Sequence, residues 1–267
     1  MTVTAGEEGK CDYCDLFASR QEGRREKGLL RVHDALHVPD LGGVGVEKCA
    51  VLGYFGMTLK RMYDERAQPV RSNATGIESI GVFRRTSHAP FIENANPAAT
   101  WDSLVRDLQS VLENLKPDIV VTPHPLIDAN SDHRYTTVAL AEAVRGCGYE
   151  GKTLTYTNHH KVSEAYPHGT MFSAATLPPW FETPFPFDGI YAHLLPHEVQ
   201  VRKFFALEAM HDLRDATLQL SLAKAWKLLK RMVKRDLGGR DKSYFRRAVR
   251  ANELFYVFDA SSLESAL

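Results

Sequence analysis

Two histidines and two aspartates fall within ten residues of one polar segment: His124, Asp128, Asp132 and His133. Neutral imidazole and carboxylate are side chains that hold a catalytic zinc ion, and such an ion keeps one coordination position open for water. The residue types and their spacing therefore make residues 124–133 the first candidate for a metal-assisted hydrolytic site.

The same segment is also typical of a helix start. Asp128, Asn130, Ser131 and Asp132 all have side chains that cap a helix N-terminus well. A histidine beside such a cap is most often a surface or packing residue. The spacing alone leaves both interpretations open.

The elements around this segment predict an α/β fold. Leu104, Leu108, Val111 and Leu115 have helical spacing in residues 101–115, and a β-branched run at 118–122 is typical of a buried parallel strand. Further strands are predicted at 1–4, 49–55 and 153–157, and further helices at 29–38, 136–144, 197–211 and 218–233. We expect one domain over residues 1–267 with a Rossmann-like, mostly parallel sheet flanked by helices.

Two long irregular stretches, 61–97 and 158–196, are predicted to lie over the carboxyl edge of this sheet. Ligands of open parallel sheets bind at that edge, where residues 124–133 would also lie. Asn158 and His160 are therefore candidates for a substrate-binding rim. His211, at the end of a predicted helix, is a further candidate whose alternative role is core packing.

Composition limits the class of protein. Thirty-three basic and thirty-three acidic residues cancel, which argues against a basic nucleic-acid binder. No run approaches the roughly 18 apolar residues of a membrane helix, and the N-terminus does not resemble a secretory signal. The four cysteines are too few for a disulfide scaffold, and Cys11 and Cys14 are interpreted as ordinary loop thiols. We expect a cytoplasmic protein, with a homo-oligomer possible.

Several segments in chain order resemble the PIG-L/LmbE-like N-acetyl sugar deacetylases. The late metal motif of that family is similar to the strand 118–122, the following His124 and Pro125, and the group Ser131, Asp132, His133 and Arg134 before a helix. Residues 3–9 resemble the family's second strand and Gly-Glu loop. Residues 52–54 resemble its Leu-Gly-Tyr turn, and residues 156–160 with 166–167 resemble a region of some members.

The resemblance implies a zinc-dependent amide hydrolase that removes an acetyl group from an N-acetylated sugar conjugate. His133 matches a metal ligand of the family, and Asp132 belongs to the same motif and would orient a neighbouring side chain. Either His124 or Asn130 would lie near the developing oxyanion. Asp128 and Arg134 join Asn158, His160 and His211 as expected substrate contacts.

The chain lacks the family's first motif, His-Pro-Asp-Asp-Glu, which supplies two further zinc ligands and the general base. His37 and Asp40 are only a superficial echo of it. Because the strand that carries this motif lies in mid-sheet, its loss would leave neighbouring strands unpaired. We expect that Met1 is an internal start or that another chain supplies the segment. The alternative is a catalytically silent relative that binds a small molecule or has a structural role.

Overall fold

The computed structural model places helices and strands in alternation along most of the chain. It describes residues 1–9, 19–92, 98–161, 166–179, 184–211, 226, 248–260, 262–264 and 267. The elements are β1 (Thr2–Thr4), α1 (Arg20–His37), β2 (Val51–Tyr54), α2 (Leu59–Asp64), α3 (Trp101–Leu115), β3 (Ile119–Pro123), α4 (Ser131–Cys147), β4 (Lys152–Tyr156), β5 (Gly189–Leu194), α5 (His197–Ala209) and β6 (Asn252–Asp259). Cys11, Cys14 and the predicted helix at 218–233, apart from residue 226, lie outside the described residues.

The described strands form two sheets. β1 pairs in parallel with β2, and a second sheet has the order β3-β4-β6-β5. In the second sheet β3, β4 and β5 run in one direction and β6 alone runs against them. The predicted Rossmann-like α/β architecture, with a mostly parallel sheet and flanking helices, is confirmed.

Helices α3 and α4 pack against each other beside β3 and place the polar segment 124–133. Thr100 caps α3 by accepting a hydrogen bond from the Ser103 amide, and Trp101 begins the helix fully buried. On α4 the buried residues include three alanines, which let its neighbours approach closely. Thr137 of α4 lies 2.8 Å from the Thr122 hydroxyl of β3, so the helix start is fixed against the carboxyl end of that strand.

The sequence-predicted elements agree with the structure most closely where hydrophobic periodicity is strong. The helix predicted at 101–115 coincides with α3, and the strand predicted at 118–122 is displaced by one residue from β3. The prediction that residues 158–196 are irregular was wrong for β5, which lies within them. No strand was predicted at the position of β6. β5 is largely exposed, so alternation of apolar and polar residues does not mark it.

Among the helices of the described residues, none combines the length and the apolar character needed to cross a bilayer.

Candidate functional site

Asp128 lies at the centre of the candidate site and is fully buried. Its Oδ1 accepts a hydrogen bond from the Asn130 amide at 2.9 Å, and its Oδ2 accepts from the amides of Asn158 at 3.0 Å and His159 at 3.3 Å. Burial alone would raise the pKa of this carboxyl. The nearby His133 and the amides of Asn130 and Asn158 outweigh burial and hold the pKa below its usual value.

His133 lies directly against this carboxylate. Its Nδ1 is 3.2 Å from Oδ1 of Asp128, within ion-pair distance but outside hydrogen-bond geometry. The side chain keeps 27% of its surface exposed, and its ring stacks on His159 with a centroid distance of 5.3 Å. Because Nδ1 is the buried nitrogen beside Asp128, Nε2 is the nitrogen left for a ligand.

Asn130 caps α4. Its side-chain oxygen accepts hydrogen bonds from the amides of Asp132 at 2.9 Å and His133 at 3.3 Å. The helix-cap interpretation of this segment is therefore confirmed for Asn130, and it coexists with the Asp128–His133 contact. The Asn130 Nδ2 group donates to no partner among the described residues.

Asp132 joins α4 to the loop between β2 and α2. Its Oδ2 accepts from the Met57 amide at 2.5 Å and its Oδ1 accepts from the Leu59 amide at 3.3 Å. The carboxyl is nearly buried, and burial raises its pKa despite these two amides. The Asp132 side chain therefore holds the loop between β2 and α2 in place by accepting hydrogen bonds from backbone amides of that loop.

Glu7 is a further buried carboxyl of this region, and no role was predicted for it from the sequence. Its Oε2 accepts from the Gly56 amide at 3.0 Å and its Oε1 accepts from the Ser72 hydroxyl at 2.8 Å. Burial raises the pKa of this carboxyl above its usual value. A side chain at residue 56 would come within 3.3 Å of Gly6 Cα, so glycine lets the loops after β1 and β2 meet. In the sequence, this loop is marked by Gly6 and Gly9, which flank the acidic pair Glu7 and Glu8 after β1.

His124 is placed in a different environment, where its ring is completely buried. Its Nδ1 accepts hydrogen bonds from the amides of Leu126 at 3.1 Å and Ile127 at 3.3 Å. Three aromatic rings surround it, with centroid distances of 4.7 Å to Phe185, 5.2 Å to Tyr256 and 6.1 Å to Phe258. Burial lowers the pKa of His124 to about 3, so the ring is neutral at ordinary pH.

The remaining predicted substrate contacts divide into two groups. Arg134 donates from Nε to the Pro125 carbonyl at 2.9 Å, and His160 forms a β-bridge with Asp128. Asn158 also contacts Asp128 through its amide, so these three residues surround the loop. His211 instead pairs with the buried Asp34 of α1, with 2.7 Å between Nδ1 and Oδ1.

The described residues do not fit a complete zinc site. No group of three or more His, Cys, Asp or Glu side chains suited to a metal ion occurs in the described part of the chain. Both oxygens of Asp128 and both oxygens of Asp132 accept hydrogen bonds from backbone amides, so the structure uses these carboxylates to hold loops. A tetrahedral zinc with an open position needs three protein ligands.

Comparison of this chain with protein-family models, with curated proteins and with solved structures gives no match.

Proposed function

We propose that this protein is a hydrolase that removes an acetyl group from an N-acetylated sugar or a related small amide, with Asp128 and His133 as its reactive pair. The observation that carries the proposal is the fully buried Asp128 carboxylate, held by three backbone amides and lying 3.2 Å from a ring nitrogen of the partly exposed His133. The pair lies at the carboxyl end of β3, where ligands of parallel sheets bind.

The chemistry follows from this pair. His133 Nε2 accepts a proton from water as the water oxygen attacks the acetyl carbonyl carbon, and Asp128 stabilises the imidazolium that forms. The imidazolium then returns the proton to the amide nitrogen as the C–N bond breaks, which releases acetate and the free amine. The Asn130 Nδ2 group supplies a hydrogen-bond donor for the oxyanion.

A zinc ion bound to His133, as the resemblance to the PIG-L/LmbE family implies, would need donors other than the described side chains. A carboxylate beside a histidine is also the arrangement that orients an imidazole toward a metal. The Asp128–His133 pair can transfer the proton without a metal, and the zinc content of the purified chain distinguishes the two routes.

A catalytically silent small-molecule-binding protein is the second candidate. It is favoured by one observation, which is that the described residues provide no group of three metal donors. In that case the Asp128–His133 pair would hold a ligand without transferring a proton.

The test measures acetate release from N-acetylglucosamine conjugates and zinc per chain in the wild type, in His133→Ala and in His193→Ala. His193 is an exposed histidine on β5 and serves as the matched control. We expect acetate release to fall about 100-fold in His133→Ala and to persist in His193→Ala. Stoichiometric zinc that disappears only in His133→Ala would identify His133 as a metal ligand. A wild type that binds the conjugate but releases no acetate, with or without added zinc, would support the silent protein.

A further inference from the structure

A cavity of about 300 Å³ lies on the face of the four-stranded sheet that is turned away from α4. Thr122 of β3 contacts Thr137 of α4, so its neighbour Val121 points to the opposite face. Val121, Tyr156 and Phe255 form the sheet side of this cavity. Its volume is at the lower end of the range for small-molecule sites.

Arg250 lines this cavity, and only 2% of its surface is exposed. Its guanidinium donates to the carbonyl oxygens of His168, Thr170 and Ala174. The buried Nε has no partner in the described parts of the chain. A side chain at Gly169 would come within 2.7 Å of Nη2, so glycine at that position, where φ is +108°, allows the loop to enclose the guanidinium.

No carboxylate among the described residues neutralises Arg250. Glu253, the one acidic residue in the described lining, forms its ion pair with Lys203, which also lines the cavity. The lining therefore carries one unbalanced positive charge. Burial lowers the pKa of Arg250, the effect expected for a cation that is desolvated without a counter-charge. Buried charges in folded proteins are normally paired with an opposite charge.

We infer that this cavity, named the Arg250 cavity, binds the oxyanion group of a small-molecule ligand, either a phosphate or a carboxylate. The guanidinium keeps its positive charge at ordinary pH and attracts either group electrostatically, while its Nη1 and Nη2 groups donate to carbonyls. An anion in the cavity would cancel the excess positive charge of its lining.

The Arg250 cavity adjoins the candidate site through Asn158. Asn158 lines the cavity, and its backbone amide donates to Asp128 at 3.0 Å. If the proposed function holds, the anion bound in the cavity would be the acidic part of the sugar conjugate. The identification of the ligand as substrate rests on that function, but anion binding itself does not.

The test is calorimetric titration of the full chain at fixed ionic strength. The probes are inorganic phosphate, succinate, N-acetylglucosamine 1-phosphate and neutral N-acetylglucosamine. Because removal of Arg250 would leave three carbonyls without donors, the cavity is blocked instead with Val121→Trp. Ile119→Trp is the matched control, since Ile119 is exposed on the same face of the same strand and does not line the cavity. Thermal unfolding of both variants checks that they fold.

We expect the wild type and Ile119→Trp to bind phosphate or succinate with the same affinity and Val121→Trp to bind at least about 10-fold more weakly. The sugar phosphate should bind at least about 10-fold more tightly than the neutral sugar, and the tighter of the two simple anions identifies the preferred group. Absence of binding by every anionic probe, or equal affinity in Val121→Trp, would overturn the inference. Anion binding without acetate release would leave it standing while the proposed function fails.

Discussion

His124 and His133 lie nine residues apart, one directly after β3 and the other in the first turn of α4, yet the structure gives them opposite environments. His124 is fully buried among three aromatic rings and accepts two backbone hydrogen bonds at Nδ1. His133 keeps about a quarter of its side chain exposed and faces a buried carboxylate. The first ring is a neutral part of the loop's framework, whereas the second is available to a ligand.

The difference shows that the role of an imidazole depends on the groups that contact it. Its place in a sequence motif does not decide whether it is a framework residue or a reactive one. A ring whose acceptor nitrogen is hydrogen-bonded to backbone amides holds a turn in place. A ring whose buried nitrogen faces a carboxylate keeps its other nitrogen for chemistry. The following predictions test this contrast.

The largest effect is expected for His124→Ala, which should lower the free energy of unfolding by about 3–5 kcal/mol. The substitution leaves a cavity among the rings and removes the acceptor of the Leu126 and Ile127 amides. Urea unfolding measures the loss. His124→Asn retains an oxygen near the position of Nδ1, so it should cost less. Equal costs for the two variants would show that the amide contacts contribute nothing.

The acid side of the stability profile should depend on His124. Its folded-state pKa is about 3 and its ordinary value is 6.5, so between these values only the unfolded chain takes up the proton. Stability is therefore fully present above pH 6.5 and falls by about 1.4 kcal/mol per pH unit below it, on account of this residue. Urea unfolding at pH 7, 6 and 5 should show a shallower decline in His124→Asn. Parallel profiles for wild type and variant would contradict a buried neutral ring.

Asn130→Ala should destabilise the protein by about 1 kcal/mol, because the amides of Asp132 and His133 lose their cap. Ser131→Ala, one residue later in the same turn, is the control and should change stability less. Thermal unfolding distinguishes the variants. If Asn130→Ala were as stable as the wild type, the cap would not position His133.

The smallest change in stability is expected for His133→Ala, at most about 1 kcal/mol, because the buried Asp128 carboxylate loses the neighbouring ring but keeps its three amide donors. Chemical unfolding beside the acetate assay makes the contrast with His124→Ala direct. A loss of more than about 2 kcal/mol would place His133 with the framework residues.

The fold class and several elements could be predicted from the sequence because their signals are local. The spacing of Leu104, Leu108 and Val111 is sufficient to predict α3, and the β-branched run before Pro123 predicts β3. β6 was missed although its Tyr256 and Phe258 are buried, and β5 was missed because it is mostly exposed. An edge strand derives its stability from backbone pairing with a distant segment, which no local pattern records.

For the candidate site, local sequence patterns are enough to show which residues are concentrated between β3 and α4 and where α4 could be capped. The folded structure is needed to show that Asp128 faces His133 and that His124 is enclosed by rings more than 60 residues away in the chain. It is also needed to show that Arg250 is buried with no carboxylate partner in the described part of the chain. The reason is physical. Capping and strand formation depend on neighbours in sequence, whereas burial, charge pairing and pKa depend on neighbours brought together by packing.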